Sequence, residues 1–198
     1  MNDTPHEWDD GYLGAPPWDI GRPQPACVEL AQRGRLRGQL LDIGCGTGEN
    51  TLLAASIGAA ATGVDISPRA ITKARAKAAQ RGIDASFEVA DALRLDTLRQ
   101  RFDVVLDVGL FHSFDDDERA RYVEQLGALI RPGGWYHTLV FSDDTPGDWG
   151  PRRVSREEFD VAFATGWTIE SVTPTVLEIN PGHPIEQPFA WLATIARR

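Results

Sequence analysis

The chain of 198 residues is poor in the side chains that build staples and metal centres. It has two cysteines, Cys27 and Cys45, neither in a Cys-x-x-Cys pair, and four scattered histidines, His6, His112, His137 and His183. That supply argues against a disulfide framework and a structural zinc, and predicts no metal. Met1 is the single methionine, so a Met-rich adaptable groove is also absent. No apolar run can span a bilayer: the longest, Leu52 to Val64, is broken by Ser56, Gly58, Thr62 and Gly63. The opening Met1-Asn2-Asp3-Thr4-Pro5-His6-Glu7 carries acid where a secretory leader carries a basic and then an apolar region, which predicts a cytoplasmic protein. Basic residues are outnumbered, 20 Lys+Arg against 29 Asp+Glu, for a net charge of -9. A phosphate backbone needs a basic face, so neither nucleic acid nor membrane is expected as a partner.

What is present is ordinary for a globular chain, 42% hydrophobic and 25% charged, and the length predicts one domain over 1–198. Residues 1–25 hold Trp8, Tyr12, Pro16, Pro17, Trp18, Pro23 and Pro25 without periodicity and read as an irregular arm. After Pro25 the chain alternates. Apolar runs at Leu40–Ile43, Ala60–Ile66, Ser86–Ala90, Asp103–Val108 and Trp135–Phe141 read as strands. Helical patterns fall at 25–35, 49–57, 68–81, 116–130 and 155–163. Ser67-Pro68 starts one helix and Gly82 ends it. Thr168–Ile179 and Phe189–Ala196 have no helix between them and pair as an antiparallel hairpin. This predicts an α/β fold with a doubly wound, mostly parallel sheet.

The chemistry-bearing segment is Leu41-Asp42-Ile43-Gly44-Cys45-Gly46-Thr47-Gly48, which leaves a strand and opens a helix. Gly44, Gly46 and Gly48 let backbone approach a ligand where a side chain would block it. In such sheets ligands bind beyond the strand carboxyl ends. Asp65 ends the next strand, 21 residues after Gly44, where a carboxylate accepts hydrogen bonds from ribose hydroxyls. Dinucleotide sites want Gly-x-Gly-x-x-Gly; here Glu49 stands where the third glycine would fall, and an acid there would repel a pyrophosphate. Glu49 and Asp42 suit a ligand with an amine and a sulfonium instead.

Asp42 to Gly48, Val64-Asp65-Ile66-Ser67, Ala90-Asp91-Ala92 and Phe102-Asp103-Val104-Val105 together resemble the successive motifs of class I S-adenosylmethionine-dependent methyltransferases. The resemblance covers about residues 36–142. It implies a seven-stranded Rossmann-like sheet with an antiparallel last strand, S-adenosyl-L-methionine as cofactor and S-adenosyl-L-homocysteine as product. By resemblance, Gly44 and Gly46 approach the methionine part and Asp65 holds the ribose. Ile66 packs on adenine, Asp91 takes the adenine amino group with Ala92 beside it, and Asp107 to Leu110 line the wall near the sulfonium.

Pro16-Pro17-Trp18-Asp19-Ile20-Gly21-Arg22-Pro23-Gln24-Pro25, with Leu110-Phe111-His112-Ser113, resembles the branch of thiopurine, tellurite and heterocyclic-toxin methyltransferases, which act on small molecules. That implies a small-molecule methyl acceptor and makes residues 1–25 a lid over the cofactor, with Trp18 excluding water; the plain alternative has Trp18 plugging the domain edge. Methyl transfer needs a nucleophile in line with the sulfonium methyl, and a neutral hydroxyl or amine gains from a base with a pKa near 7. His112, just past the fourth strand, is the candidate base, or else a histidine bonded to backbone. Phe111, Phe141 and Trp149 are candidates for an apolar substrate chamber, or else core. Arg152 and Arg153 could meet an anionic substrate, or stay solvated. Asp115-Asp116-Asp117-Glu118 fits a helix N-terminus better than a cation site.

The expected activity is transfer of a methyl group to O, N or S of a small aromatic or heterocyclic molecule. The alternatives are a protein methyltransferase and a non-catalytic binding protein on the same fold. A nicotinamide reductase fits less well because of Glu49. The acceptor, the atom methylated and the oligomeric state are not encoded in any motif.

Overall fold

The computed structural model describes residues 5–95 and 98–198; residues 1–4, which open the expected arm, lie outside them. Seven strands form one sheet in the order β3-β2-β1-β4-β5-β7-β6. They are β1 Gln39–Ile43, β2 Ala60–Asp65, β3 Ser86–Val89, β4 Phe102–Val108, β5 Ile130–Phe141, β6 Trp167–Val176 and β7 Phe189–Arg197. β1, β2, β3, β4 and β5 pair in parallel, and β7 runs antiparallel between β5 and β6. The expected doubly wound sheet with an antiparallel last strand is what forms. The strand order reverses between β1 and β4, so the ligand crevice of such a sheet opens there, beyond Ile43 and Val108.

Six helices cover the sheet: α1 Pro5–Gly11, α2 Pro25–Gln32, α3 Glu49–Ser56, α4 Pro68–Arg81, α5 Asp116–Leu129 and α6 Arg156–Ala162. α4 follows its sequence signals closely. Ser67 Oγ accepts from the Ala70 N–H at 3.0 Å, Pro68 opens the first turn, and Gly82 closes the helix in the left-handed conformation at φ 62. α5 starts on the acid run as expected: Asp115 accepts from the Glu118 N–H, and Glu118 reaches back to the Asp115 N–H. No helix among the described residues is long and apolar enough to cross a membrane.

The apolar layers divide by sheet face. One holds Phe111, Tyr122, Tyr136, Phe159 and Phe163. Another holds Cys27, Leu30, Leu40, Leu139 and Phe141, and a third packs Leu52, Ile71 and Ala74 against Phe87. Two boundaries differ from the sequence reading. The arm contains a helical turn, α1, which packs against α4, because Asp9 caps the start of α4: it accepts from Ser67 Oγ at 2.6 Å and pairs with Arg69. β5 begins at Ile130 and runs through Pro132-Gly133-Gly134, where a shift in the β4–β5 register between Phe102 and Val104 absorbs the irregular backbone.

Candidate active site

The glycine loop follows β1 and is closed by its neighbour strand. The N–H groups of Gly44 and Cys45 both donate to the Val64 carbonyl, at 2.8 and 2.9 Å. Gly44, Gly46 and Gly48 have φ of 69, 53 and 86, a region that side chains with a Cβ rarely adopt. Gly48 is required twice over, since a Cβ there would lie 2.7 Å from Phe87. Gly63, which the motif reading passed over, is equally constrained: its Cβ would meet Cys45 Sγ, Phe87 and Thr51 at 2.8 Å. That glycine is what lets β2 sit against the loop.

Three acids frame this bend. Asp65 is buried at 8% exposure; Oδ2 accepts from the Gly46 N–H at 2.8 Å and Oδ1 from the Ser67 N–H at 2.9 Å. Each oxygen keeps a further lone pair for a ligand. Burial pushes its carboxyl above the ordinary range, partly countered by the Ser67 and Gly46 N–H groups. Asp42 is 1% exposed; Thr51 Oγ1 donates to its Oδ2 at 2.6 Å, while Oδ1 is buried with no partner. Burial lifts the Asp42 carboxyl to about 7, and the nearby Asp107 and Asp65 add to the effect. Asp91 Oδ1 accepts from the Leu93 N–H at 2.9 Å, with Ala92 packed beside it against the core, and Ile66 is half-buried after β2.

Asp107, the one acid of the expected wall, is taken up by the fold. It is fully buried: Oδ2 accepts from Tyr136 Oη at 2.7 Å and Tyr122 Oη at 2.9 Å, and Oδ1 accepts from the N–H groups of Leu110 and Phe111. Its carboxylate organises the turn after β4 and is not a ligand group. Glu49 is likewise spoken for. Burial pushes its carboxyl up, but hydrogen bonds from Arg81 and Lys77 more than offset this and hold it below the usual range. The expected repulsion of a pyrophosphate by Glu49 is therefore neutralised by α4.

His112 sits in the 3-10 turn Phe111–Ser113 and is buried at 4% exposure. Its Nδ1 accepts from the Phe141 N–H at 2.9 Å, and its ring also bonds the Gly109 backbone. Burial, with Arg119 and Arg153 nearby, depresses it to about 3. The imidazole is a neutral tie between the ends of β4 and β5; the fold takes the backbone-bonded alternative over the base. Phe111 and Phe141 do not meet in a chamber. Phe111 is buried against Phe159 and Phe163 on the α6 face, and Phe141 lies in the layer on the other face. Phe141 ends β5 with its side chain on one face of the sheet, whereas Phe111 lies in the 3-10 turn past β4 and drops into the layer on the other face. Trp149 is half-buried at the rim of the Phe141 layer. Arg152 and Arg153 are also used internally, Arg152 on Asp116 and Glu158 and Arg153 on the carbonyls of its own loop.

Sequence reasoning missed how the arm meets this site. Tyr12 is buried at 5% exposure, with its hydroxyl 2.9 Å from where a Gly46 Cβ would be. Trp18 Nε1 donates to that hydroxyl at 2.9 Å, and the Trp18 ring stands edge-on to Tyr12 and Trp8. Thr47 Oγ1, in the glycine loop, donates to Asp19 at 2.6 Å. Asn180, in the β6–β7 connection, holds the far side: its Nδ2 donates to the carbonyls of Pro16 and Asp19, and its N–H to Pro17. Tyr12 carried a signal, being the single tyrosine of an aromatic arm. Asn180 carried none.

The loop, the ribose-type acid and the orphaned Asp42 oxygen on a sheet of this order define a nucleoside-binding methyltransferase class, and residues 40–134 match the model of a methyltransferase domain. The chain belongs to the S-adenosylmethionine-dependent methyltransferases. It is 36% identical over 168 residues to a 2-heptyl-1-hydroxyquinolin-4(1H)-one methyltransferase of Mycobacteroides abscessus, covering 83% of this chain and 74% of that one. A probable thiol methyltransferase of Arabidopsis thaliana is 29% identical, with 93% and 83% covered. A solved structure described as "Conversion of a Disulfide Bond into a Thioacetal Group during Echinomycin Biosynthesis" superposes with a TM-score of 0.88 at 39% identity, covering 98% of this chain and 93% of that one.

The residues in place fit S-adenosylmethionine. The methionine ammonium is the kind of cation that a buried carboxylate with a vacant oxygen, Asp42, would take.

Proposed function

We propose that this protein methylates an oxygen, nitrogen or sulfur atom of a small planar aromatic or heterocyclic acceptor. The observation that carries the reading is the pairing of Asp65 and Asp42 on either side of one glycine bend, each buried and each with unused acceptor capacity. S-adenosylmethionine supplies a methyl group activated on a sulfonium. The chain's own residues bind and orient it. Asp42 takes the ammonium, Gly44 and Gly46 leave room for the backbone of the ligand, and Asp65 holds the ribose hydroxyls. Asp91 receives the adenine amino group, with Ile66 and Ala92 packing on the ring.

The arm works as a lid. Tyr12 and Trp18 cover the loop, Asp19 and Asn180 bolt the cover down, and the result excludes water and strengthens every charge contact beneath. With His112 locked into backbone, alignment and desolvation carry the acceleration, and acidic hydroxyls or thiols, which need no strong base, are the acceptors served. The names of the hydroxyquinolone and thiol methyltransferases among the relatives support the same class. Its two buried free thiols and its acidic charge suit a cytoplasmic enzyme that binds no nucleic acid. The test is a panel of phenols, hydroxyquinolines, thiols and amines, with release of S-adenosylhomocysteine as the readout. Turnover of hydroxyquinolines or aromatic thiols above the aliphatic amines is expected. Binding of S-adenosylhomocysteine with no turnover of any small acceptor would overturn the acceptor assignment.

A further inference from the structure

The loop that follows β5 folds around one guanidinium. Arg153 Nη1 donates to the carbonyls of Trp149 and Pro151 at 2.9 and 2.7 Å, and Nη2 donates to Gly147 at 2.9 Å. The same guanidinium lies over the Phe141 ring, 5.5 Å from its centroid. Gly150 is pressed on that ring too, at a φ of 88 where a Cβ would come within 3.2 Å. Trp149 is thus presented from a preorganised turn, at the rim of the apolar layer that includes Val108, the last residue of β4. Its ring stacks on His183 from the β6–β7 connection, with centroids 5.0 Å apart and planes at 25°. Three residues before His183, Asn180 grips the arm that covers the glycine loop. The stacked pair therefore joins the β5 loop to the β6–β7 connection, the segment that also holds the arm.

Of the three histidine side chains described, His112 and His137 are buried, and His183 alone is partly open. His112 is tied to the Phe141 N–H, and His137 Nδ1 lies 3.0 Å from Thr194 Oγ1. The indole, held by its own loop, already carries one flat heteroaromatic ring on its face, so an acceptor ring would stack there by displacing the imidazole, whose nitrogen would then meet the acceptor's hydrogen-bonding group. We propose that Trp149 and His183 are the acceptor-recognition pair: Trp149 supplies the stacking face, and His183 hydrogen-bonds the hydroxyl or thiol of the planar acceptor and so sets which atom faces the methyl donor. This rests on the small-acceptor reading above and names the residues that would carry it.

The test uses 4-hydroxyquinoline as the probe and the full chain. Calorimetric titration with S-adenosylhomocysteine alone first establishes that each variant is folded, and its affinity should stay within twofold of wild type in W149A and H183A. Titration of the probe into the protein without cofactor should then show affinity at least tenfold weaker in both variants. W149F, which keeps a stacking face, should recover to within about threefold. In turnover, KM for the probe should rise by the same factors while kcat falls less than threefold. Probe affinity in W149A and H183A within twofold of wild type would overturn the proposal. If wild type neither binds nor methylates the probe yet turns over another planar acceptor, the same comparison is made on that acceptor; if it turns over none, the small-acceptor reading itself fails.

Discussion

At the scale of single residues, buried carboxylates decide most of what this site does, and they do not behave alike. Asp107 is saturated by four donors and belongs to the architecture; Asp42 has one oxygen unmet, which is what the proposed ammonium contact would use. The difference has a pH signature. Asp42 holds its proton to about 7 in the fold, against about 3.9 in an unfolded chain. Between those values the folded state binds more protons, so the contribution of Asp42 to stability is present at low pH and is lost as pH rises toward 7. At roughly 1.4 kcal/mol per unit, urea titrations of wild type minus Asp42→Asn should show a relative loss of about 2–4 kcal/mol from pH 4 to pH 8. An ammonium docked on Asp42 would restore the carboxylate, so binding of S-adenosylhomocysteine near pH 6.5 should release a proton. Calorimetry in buffers of different ionisation enthalpy reads this directly, and a buffer-independent heat would remove Asp42 from the cofactor site.

His112 makes the opposite case for residue-level reading. A histidine after the fourth strand is well placed along the chain for catalysis, yet its ring is consumed by backbone partners that no motif reveals. His112→Ala should cost about 1–3 kcal/mol of stability, because the Phe141 N–H is left unsatisfied in the interior. Turnover in the folded fraction should fall less than tenfold. A larger loss of kcat with cofactor binding intact would return His112 to the reaction.

At the scale of elements, the arm and the β6–β7 connection act as one cover. Trp18→Ala removes the indole that donates to Tyr12 Oη and stands against Trp8. Affinity for S-adenosylhomocysteine should drop about tenfold by calorimetry, and unchanged affinity would make Trp18 an edge plug. Asn180→Ala touches neither loop nor acid, yet it frees the Pro16 and Asp19 carbonyls. Faster hydrogen exchange in residues 18–20 is expected, with a raised cofactor off-rate and unchanged protection in β1 and β4. The regular elements were legible beforehand because each writes its own period and punctuation: Ser67-Pro68 and Gly82 bracket α4, and the acid run opens α5. What stayed hidden depends on distant partners. α1 is a turn of seven residues with no apolar stripe, held by Asp9 on the start of α4. The neutralisation of Glu49 comes from Lys77 and Arg81 on another helix. Phe111 and Phe141 share a rim in sequence and lie on opposite faces in space.

At the scale of the whole molecule, the sheet order places the glycine bend, Asp65 and the end of β4 at one switch point, so the donor side follows from topology. That half of the site could be read from sequence, since it lies on consecutive strand ends. The proposed acceptor side draws on irregular segments, and only tertiary contacts show which of their rings meet. The chain carries a net charge of -9, which disfavours polyanions as partners. Duplex DNA or RNA at 10 µM protein in about 150 mM salt should give no change in fluorescence anisotropy; saturable binding under those conditions would reopen the choice of substrate class.

The way Arg153 gathers the carbonyls of its own loop carries a last consequence. The segment supplies part of its own scaffolding and is also tied to the strands beside it, by Thr145 Oγ1 donating to the Phe189 carbonyl and by Arg153 lying over Phe141. Exchange of the segment therefore has to carry Arg153 with it, whereas the Trp149 side chain, which the guanidinium holds only through its carbonyl, can change with the turn intact. Diversification of such an enzyme toward new acceptors should keep the Arg153 scaffold and vary the side chains it presents.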